Sequence, residues 1–156
     1  MCDWLAGEVL AFGTDGSREV MARVEGLPFS IDWLPDGRMV ATTPKGVMAG
    51  PDLVPYGAPG QPFNEIVVDA IGRVWVDMPG SMPWEERKPG IIAVVLPDGS
   101  SQQVADDGWF PNGVLILGDT RCRGVTRGPT DRMDHHRRRP TRRPACVGRP
   151  RTQIST

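Results

Sequence analysis

The sequence has no apolar run approaching the ~20 residues that a helix needs to cross a bilayer. Its first ten residues, MCDWLAGEVL, contain Asp3 and Glu8 but nothing basic, which is not the pattern of a secretory leader. With neither signal present, the expected compartment is the cytoplasm and no membrane partner is expected. Cysteine is scarce. Cys2, Cys122 and Cys146 are odd in number and irregular in spacing, so no disulfide framework or zinc-ligand pair is indicated. No segment of about twelve residues keeps a helical period. The stretch 121–156 lacks Lys, Leu, Phe, Tyr and Trp altogether, and it cannot bury enough apolar surface to offset the entropy of ordering it.

What is present divides the chain in two. Residues 1–120 hold 7 Lys+Arg against 17 Asp+Glu, while residues 121–156 hold 11 Arg against 2 Asp. The net charge of −1 is therefore a cancellation between an acidic piece and a basic one. The expected organisation is a domain over 1–120 and a disordered, Arg/Pro-rich tail over 121–156.

Within 1–120, short β-branched and apolar runs alternate with turn residues, which predicts an all-β fold. Asp15-Gly16, Pro35-Asp36-Gly37 and Pro97-Asp98-Gly99 are turn signals with a mechanism: Pro presets φ, and Gly accepts positive φ. Strands are expected at Gly7–Phe12, Glu19–Val24, Phe29–Leu34, Arg38–Thr42, Ile66–Val68, Arg73–Val76, Ile91–Leu96, Ser101–Ala105 and Val114–Leu117. A weaker pair around 45–56 is broken by Pro51 and Pro55, which places it at the outside of a sheet. Residues Met78 to Lys88 read as a long surface loop, and the five Trp as interior packing residues.

The corner Phe29-Ser30, with its strand and turn, aligns with Phe63-Asn64 at an offset of 34, and Pro111-Asn112 repeats the corner after a further 48. GEVLAFGTDGSREVMA likewise resembles GIIAVVLPDGSSQQVA. Repeats of ~40 residues with short strands are the signature of a β-propeller. A β-sandwich shares the turn spacing, but the corners repeat here as well as the turns.

Taken together, WLAGEVLAF, LPFSIDWLPDGRMVA, PFNEIVVDAIGRVWVD, PGIIAVVLPDGSSQQVADD and FPNGVLI resemble the family of senescence marker protein 30 (regucalcin), gluconolactonase and luciferin-regenerating enzyme, over residues 3 to about 119. That resemblance implies a six-bladed propeller, of which residues 1–120 would make about three blades. It implies a sugar-lactone hydrolase that depends on a divalent cation, Ca²⁺ or Zn²⁺, with a small sugar lactone as partner. Asn112 in FPNG matches the family's metal-ligand Asn. Asn64 in FNEIVVD matches the Asn beside metal and substrate, with Glu65 replacing the usual Asp. The family's early Glu-x-Pro-x-Trp motif would precede Asp3-Trp4, and its late Asp-Gly motif has no match in the tail. Two of four site positions are thus present, which implies impaired activity and weak or absent cation binding. The alternative is a non-catalytic propeller remnant or binding fragment, with self-association through open blade edges.

The same residues have plainer readings. Asn112-Gly113 is also a turn pair, and Asn64 could satisfy local backbone groups at the start of a strand. Glu85-Glu86 reads as solvated loop and Asp134-His135-His136 as incidental. The Arg runs could contact phosphates, but they lack interleaved aromatics, so no specific nucleic-acid partner is expected.

Arg-, Pro- and Gly-rich sequence without Lys is what a GC-rich gene yields when read out of phase. Ala145 to Arg151 can be written in codons whose shifted frame reads RVWADL, a phrase of the resembled family. The tail is accordingly expected to be a frameshift product. Resequencing the gene should reveal a second frame that continues the family pattern, and an abruptly ending second frame would refute the idea.

Overall fold

Four turns of one design set the architecture. The computed structural model describes residues 1–58, 60, 62–81, 84–117 and 121–124. In the turns Gly13–Ser17, Leu34–Arg38, Asp69–Arg73 and Leu96–Ser100, the first N–H donates to the fifth carbonyl, and the glycine N–H returns a bond to the first carbonyl. The glycines, Gly16, Gly37, Gly72 and Gly99, have φ between 82° and 85°, a region that costs any residue with a Cβ. In three of the turns an Asp accepts from the closing N–H: Asp15 from Ser17, Asp36 from Arg38 and Asp98 from Ser100. The third turn has Ile71 at that place, and Asp69, two residues earlier, supplies the carboxylate to Arg73 N–H instead.

The strands that these turns join form antiparallel sheets in chain order. The first sheet is β1 (Cys2–Asp3), β2 (Glu8–Phe12) and β3 (Arg18–Arg23). The second is β4 (Ile31–Trp33), β5 (Met39–Thr43), β6 (Gly46–Ala49) and β7 (Val54–Gly57). The third is β8 (Ile66–Val68), β9 (Val74–Met78), β10 (Gly90–Val95) and β11 (Ser101–Gly108). A fourth pairs β12 (Val114–Leu117) with β13 (Arg121–Gly124). Every regular element among the described residues is a strand, so the all-β class read from the sequence holds.

Successive sheets pack face to face through apolar layers. Val9, Ala22, Val24, Phe29 and Met39 form the layer between the first and second sheets. Leu34, Val40, Val47, Phe63, Ile66, Val74, Val76 and Val95 are the larger part of the next layer. Fully burying one such Val or Phe stabilises by roughly 1.5–3 kcal/mol. The approach is close: a Cβ at Gly57 would collide with the Val95 side chain and the Gly99 carbonyl. The opening strands of consecutive sheets lie side by side, β4 next to β8 and β8 next to β12. Asp32 on β4 reinforces this by accepting from Val68 N–H on β8 at 2.7 Å.

Several details differ from the sequence reading. Ile31 pairs with Ala41 and Ile66 with Val76, so the second and third sheets are related by 35 residues, not 34. β1 was not expected; two residues are too few to show an alternation. β13 extends pairing four residues into the stretch assigned to the tail, whose remainder lies outside the described residues. The tryptophans are not uniformly interior: Trp4 and Trp33 are each 46% exposed and Trp84 is 80% exposed. Trp4 lies against the end of the first sheet, its indole N–H donating to Phe29 O at 2.7 Å, and Trp84 sits in the connection between β9 and β10. The expected outer strand pair is β6 and β7, with Pro55 on the edge strand β7, where no ladder donor is lost.

Asp69 is the most heavily used turn residue. It is buried, and it accepts from the backbone N–H groups of Ile71 and Arg73, the Arg73 guanidinium and the Trp75 indole. Burial alone would raise its pKa, but these bonds outweigh it and hold the group below the ordinary value. Asp69→Ala should destabilise the fold by about 2–4 kcal/mol, because it strands several buried donors. The exposed Asp36→Ala should cost much less, because water can replace its bonds. Denaturant unfolding of both variants checks the order.

Candidate functional site

One polar cluster stands out at the corner end of the second and third sheets. Its frame is a repeated clamp. Ser30 N–H donates to Thr42 Oγ1 at 2.8 Å, and Thr42 N–H donates to Ser30 O at 3.0 Å. In the third sheet Glu65 N–H donates to Asp77 Oδ1 at 3.2 Å, and Asp77 N–H donates to Glu65 O at 3.2 Å. Thr42 and Asp77 thus hold the same place, each five residues beyond its turn glycine. Paired register carries the correspondence into the first sheet: Cys2 faces Val9 on β2 as Asp77 faces Ile92 on β10.

The two clamps are joined. Thr42 Oγ1 donates to Asn64 O at 3.0 Å, and Ser30 Oγ donates to Glu65 Oε2 at 3.3 Å. Asn64 N–H also donates to Asp77 O at 2.7 Å. Asn64 is 8% exposed, and Asp77 and Thr42 are 0% exposed. The sequence-derived candidate Asn64 therefore lies inside a cluster of five polar residues contributed by two sheets.

Asp77 is the electrostatic oddity of this cluster. Its Oδ2 is buried without a hydrogen-bond partner. Burial pushes its carboxyl up to about 7; the Glu65 charge adds to the rise, and bonds from Glu65 N–H and the Asn64 side chain oppose it. The Cys2 thiol is raised as well, first by burial, with the N-terminal ammonium pulling the other way and Glu65 adding to the rise.

Asn112 is placed differently. It follows the fully buried Pro111 and is itself exposed. No hydrogen bond joins it to Asn64 among the described residues. Val114 pairs with Gly124 as Ile66 pairs with Val76, so Asn112 does occupy the position of Asn64 in the next corner.

A hard cation needs several oxygen ligands. Among the described residues no group of three or more His, Cys, Asp or Glu is placed to hold a metal ion. Glu85 and Glu86 are exposed in the connection after β9, as expected of loop carboxylates. Asp134, His135, His136 and the Arg runs lie outside the described residues. Sequence reasoning passed over Ser30, Thr42 and Asp77. The signal for the last two was available in their shared distance from a turn glycine.

Comparison with known proteins adds no further constraint: no family model matches the chain, and no curated protein matches it.

The raised Asp77 pKa makes stability depend on pH. The folded chain holds this proton more tightly than the unfolded chain, so the contribution is full below the unfolded pKa near 4. It is lost as pH rises to about 7 and is absent above that. At about 1.4 kcal/mol per pKa unit the loss is on the order of 4 kcal/mol. Melting temperature should fall between about pH 4 and 7, and Asp77→Asn should flatten that fall. A parallel slope in the variant would assign the dependence to other groups.

Proposed function

We propose that the chain is about three blades of a six-bladed propeller of the gluconolactonase type, and that its corner end is a sugar-lactone pocket whose hydrolytic activity is impaired. The observation that carries this reading is the burial of Asn64, the residue matched on family resemblance, in the polar cluster with Glu65, Asp77, Thr42 and Ser30. The succession of antiparallel sheets with adjacent opening strands supports the propeller part of it.

In this reading the chain's own residues bind and orient. The Asn64 amide offers both a donor and an acceptor to the hydroxyls of a sugar lactone. Glu65, with one carboxylate oxygen held by Ser30, presents an acceptor beside it. Asp77 keeps the corner in place. A divalent cation, when bound in an intact relative, would polarise the lactone carbonyl and favour attack by water. Asn112 is the one matched ligand for such an ion here, and no step of this chain is assigned to it.

A second reading is a non-catalytic propeller remnant. It is favoured by the exposure of Asn112 and by the lack of a three-ligand cluster among the described residues. Outer and inner sheet edges left open in such a remnant would favour self-association.

The two readings part on ligand binding. In the first, gluconolactone shifts the Asn64 side-chain amide resonance, and Asn64→Ala abolishes the effect. Turnover should rise less than about tenfold on adding Ca²⁺ or Zn²⁺, since a full catalytic set typically supplies far more. Absence of both the resonance shift and turnover would leave the remnant. Strong metal-dependent turnover would overturn the claim that activity is impaired.

A further inference from the structure

The corners entering the second and third sheets differ by one residue. In the second, the buried Phe29 is followed directly by the clamped Ser30. In the third, the buried Phe63 is followed by Asn64 and only then by the clamped Glu65. Asn64 is the additional residue, and it accounts for the offset of 35 between strands whose buried phenylalanines stand 34 apart. The clamp residue changes at the same step, from Thr42 to Asp77. A carboxyl reaches one bond further from the backbone than a threonine hydroxyl, and its oxygen takes the same backbone donor. The corner entering the fourth sheet repeats the longer form, with buried Pro111, then Asn112, then Gly113 in the register of Glu65.

We infer that Asp77 is the positioning residue for Asn64: the Thr-to-Asp difference at the clamp and the one-residue enlargement of this corner are a coupled pair, and the longer side chain is what holds the enlarged corner closed around Asn64. Three bonds define the arrangement, from Asn64 N–H to Asp77 O, from Glu65 N–H to Asp77 Oδ1 and from Asp77 N–H to Glu65 O. The shorter Thr42 clamp, at a corner with no additional residue, is the internal control. What Asn64 does for a ligand rests on the pocket reading above; the coupling of Asp77 to the corner does not.

Amide hydrogen exchange on the full chain tests the coupling without any turnover. Asp77→Ala should accelerate exchange at Asn64 and Glu65 by about tenfold or more, the size expected for a lost buried bond. Asp77→Asn, which keeps the acceptor, should stay within about twofold of the parent. Asp77→Thr and deletion of Asn64 should each loosen the corner when made alone. Together they rebuild the corner of the second sheet, so the double variant should recover most of the lost protection. Simple addition of the two losses would overturn the inference, as would equal exchange in Asp77→Ala and Asp77→Asn. If Asp77→Ala does not fold, the Thr and deletion cycle decides alone. A gluconolactone-induced shift of the Asn64 amide retained in Asp77→Asn and lost in Asp77→Thr supports the positioning role for ligand. No shift in the parent chain refutes the pocket reading and leaves the exchange result to judge the coupling.

Discussion

The structure depends on a small clamp that recurs where the chain turns from one sheet into the next. A backbone N–H at the start of the opening strand needs an acceptor. A side-chain oxygen from the end of the adjacent strand supplies it, at Thr42 for Ser30 and at Asp77 for Glu65. Both clamp residues are fully buried, so a missing acceptor would leave a desolvated donor at a cost of about 1–3 kcal/mol. The Thr42 clamp also bonds Asn64 O, which ties the second sheet to the corner of the third. The placement of the polar cluster therefore follows from these two clamps and the bond between them.

Using a carboxyl for this task has consequences that a hydroxyl does not. A threonine at 0% exposure is neutral at any pH, whereas a buried Asp is driven toward its protonated form. The neighbouring Glu65 makes ionisation harder still, because two like charges at one corner repel. The corner that presents Asn64 is thus held by a group whose charge state changes near neutrality.

Much of this was legible in the sequence. Pro-Asp-Gly and Thr-Asp-Gly marked three of the four repeated turns, because each residue type there has its own steric or hydrogen-bonding reason. The turn at Asp69 was found from its flanks, although its carboxylate has moved to a different position. Asn64 was identified from a resemblance and lies buried in the polar cluster. The one-residue enlargement was hidden because both corners begin with a buried Phe, and aligning the aromatics conceals the shift of the strands behind them. The exposed tryptophans were misread since size alone does not say which side of a short strand or connection faces solvent. β1 escaped notice because its pairing partner, β2, and not its own composition, makes it a strand.

Asn64 and Asn112 carry the clearest contrast. They hold the same register in consecutive corners, each preceded by a buried residue, yet one is enclosed and the other is exposed. At the enclosed corner the Asp77 carboxyl accepts from Glu65 N–H, and Thr42 Oγ1 of the second sheet bonds Asn64 O. The enclosure of Asn64 goes with oxygens at the ends of two neighbouring strands that hold its corner shut, Asp77 Oδ1 on one side and Thr42 Oγ1 on the other.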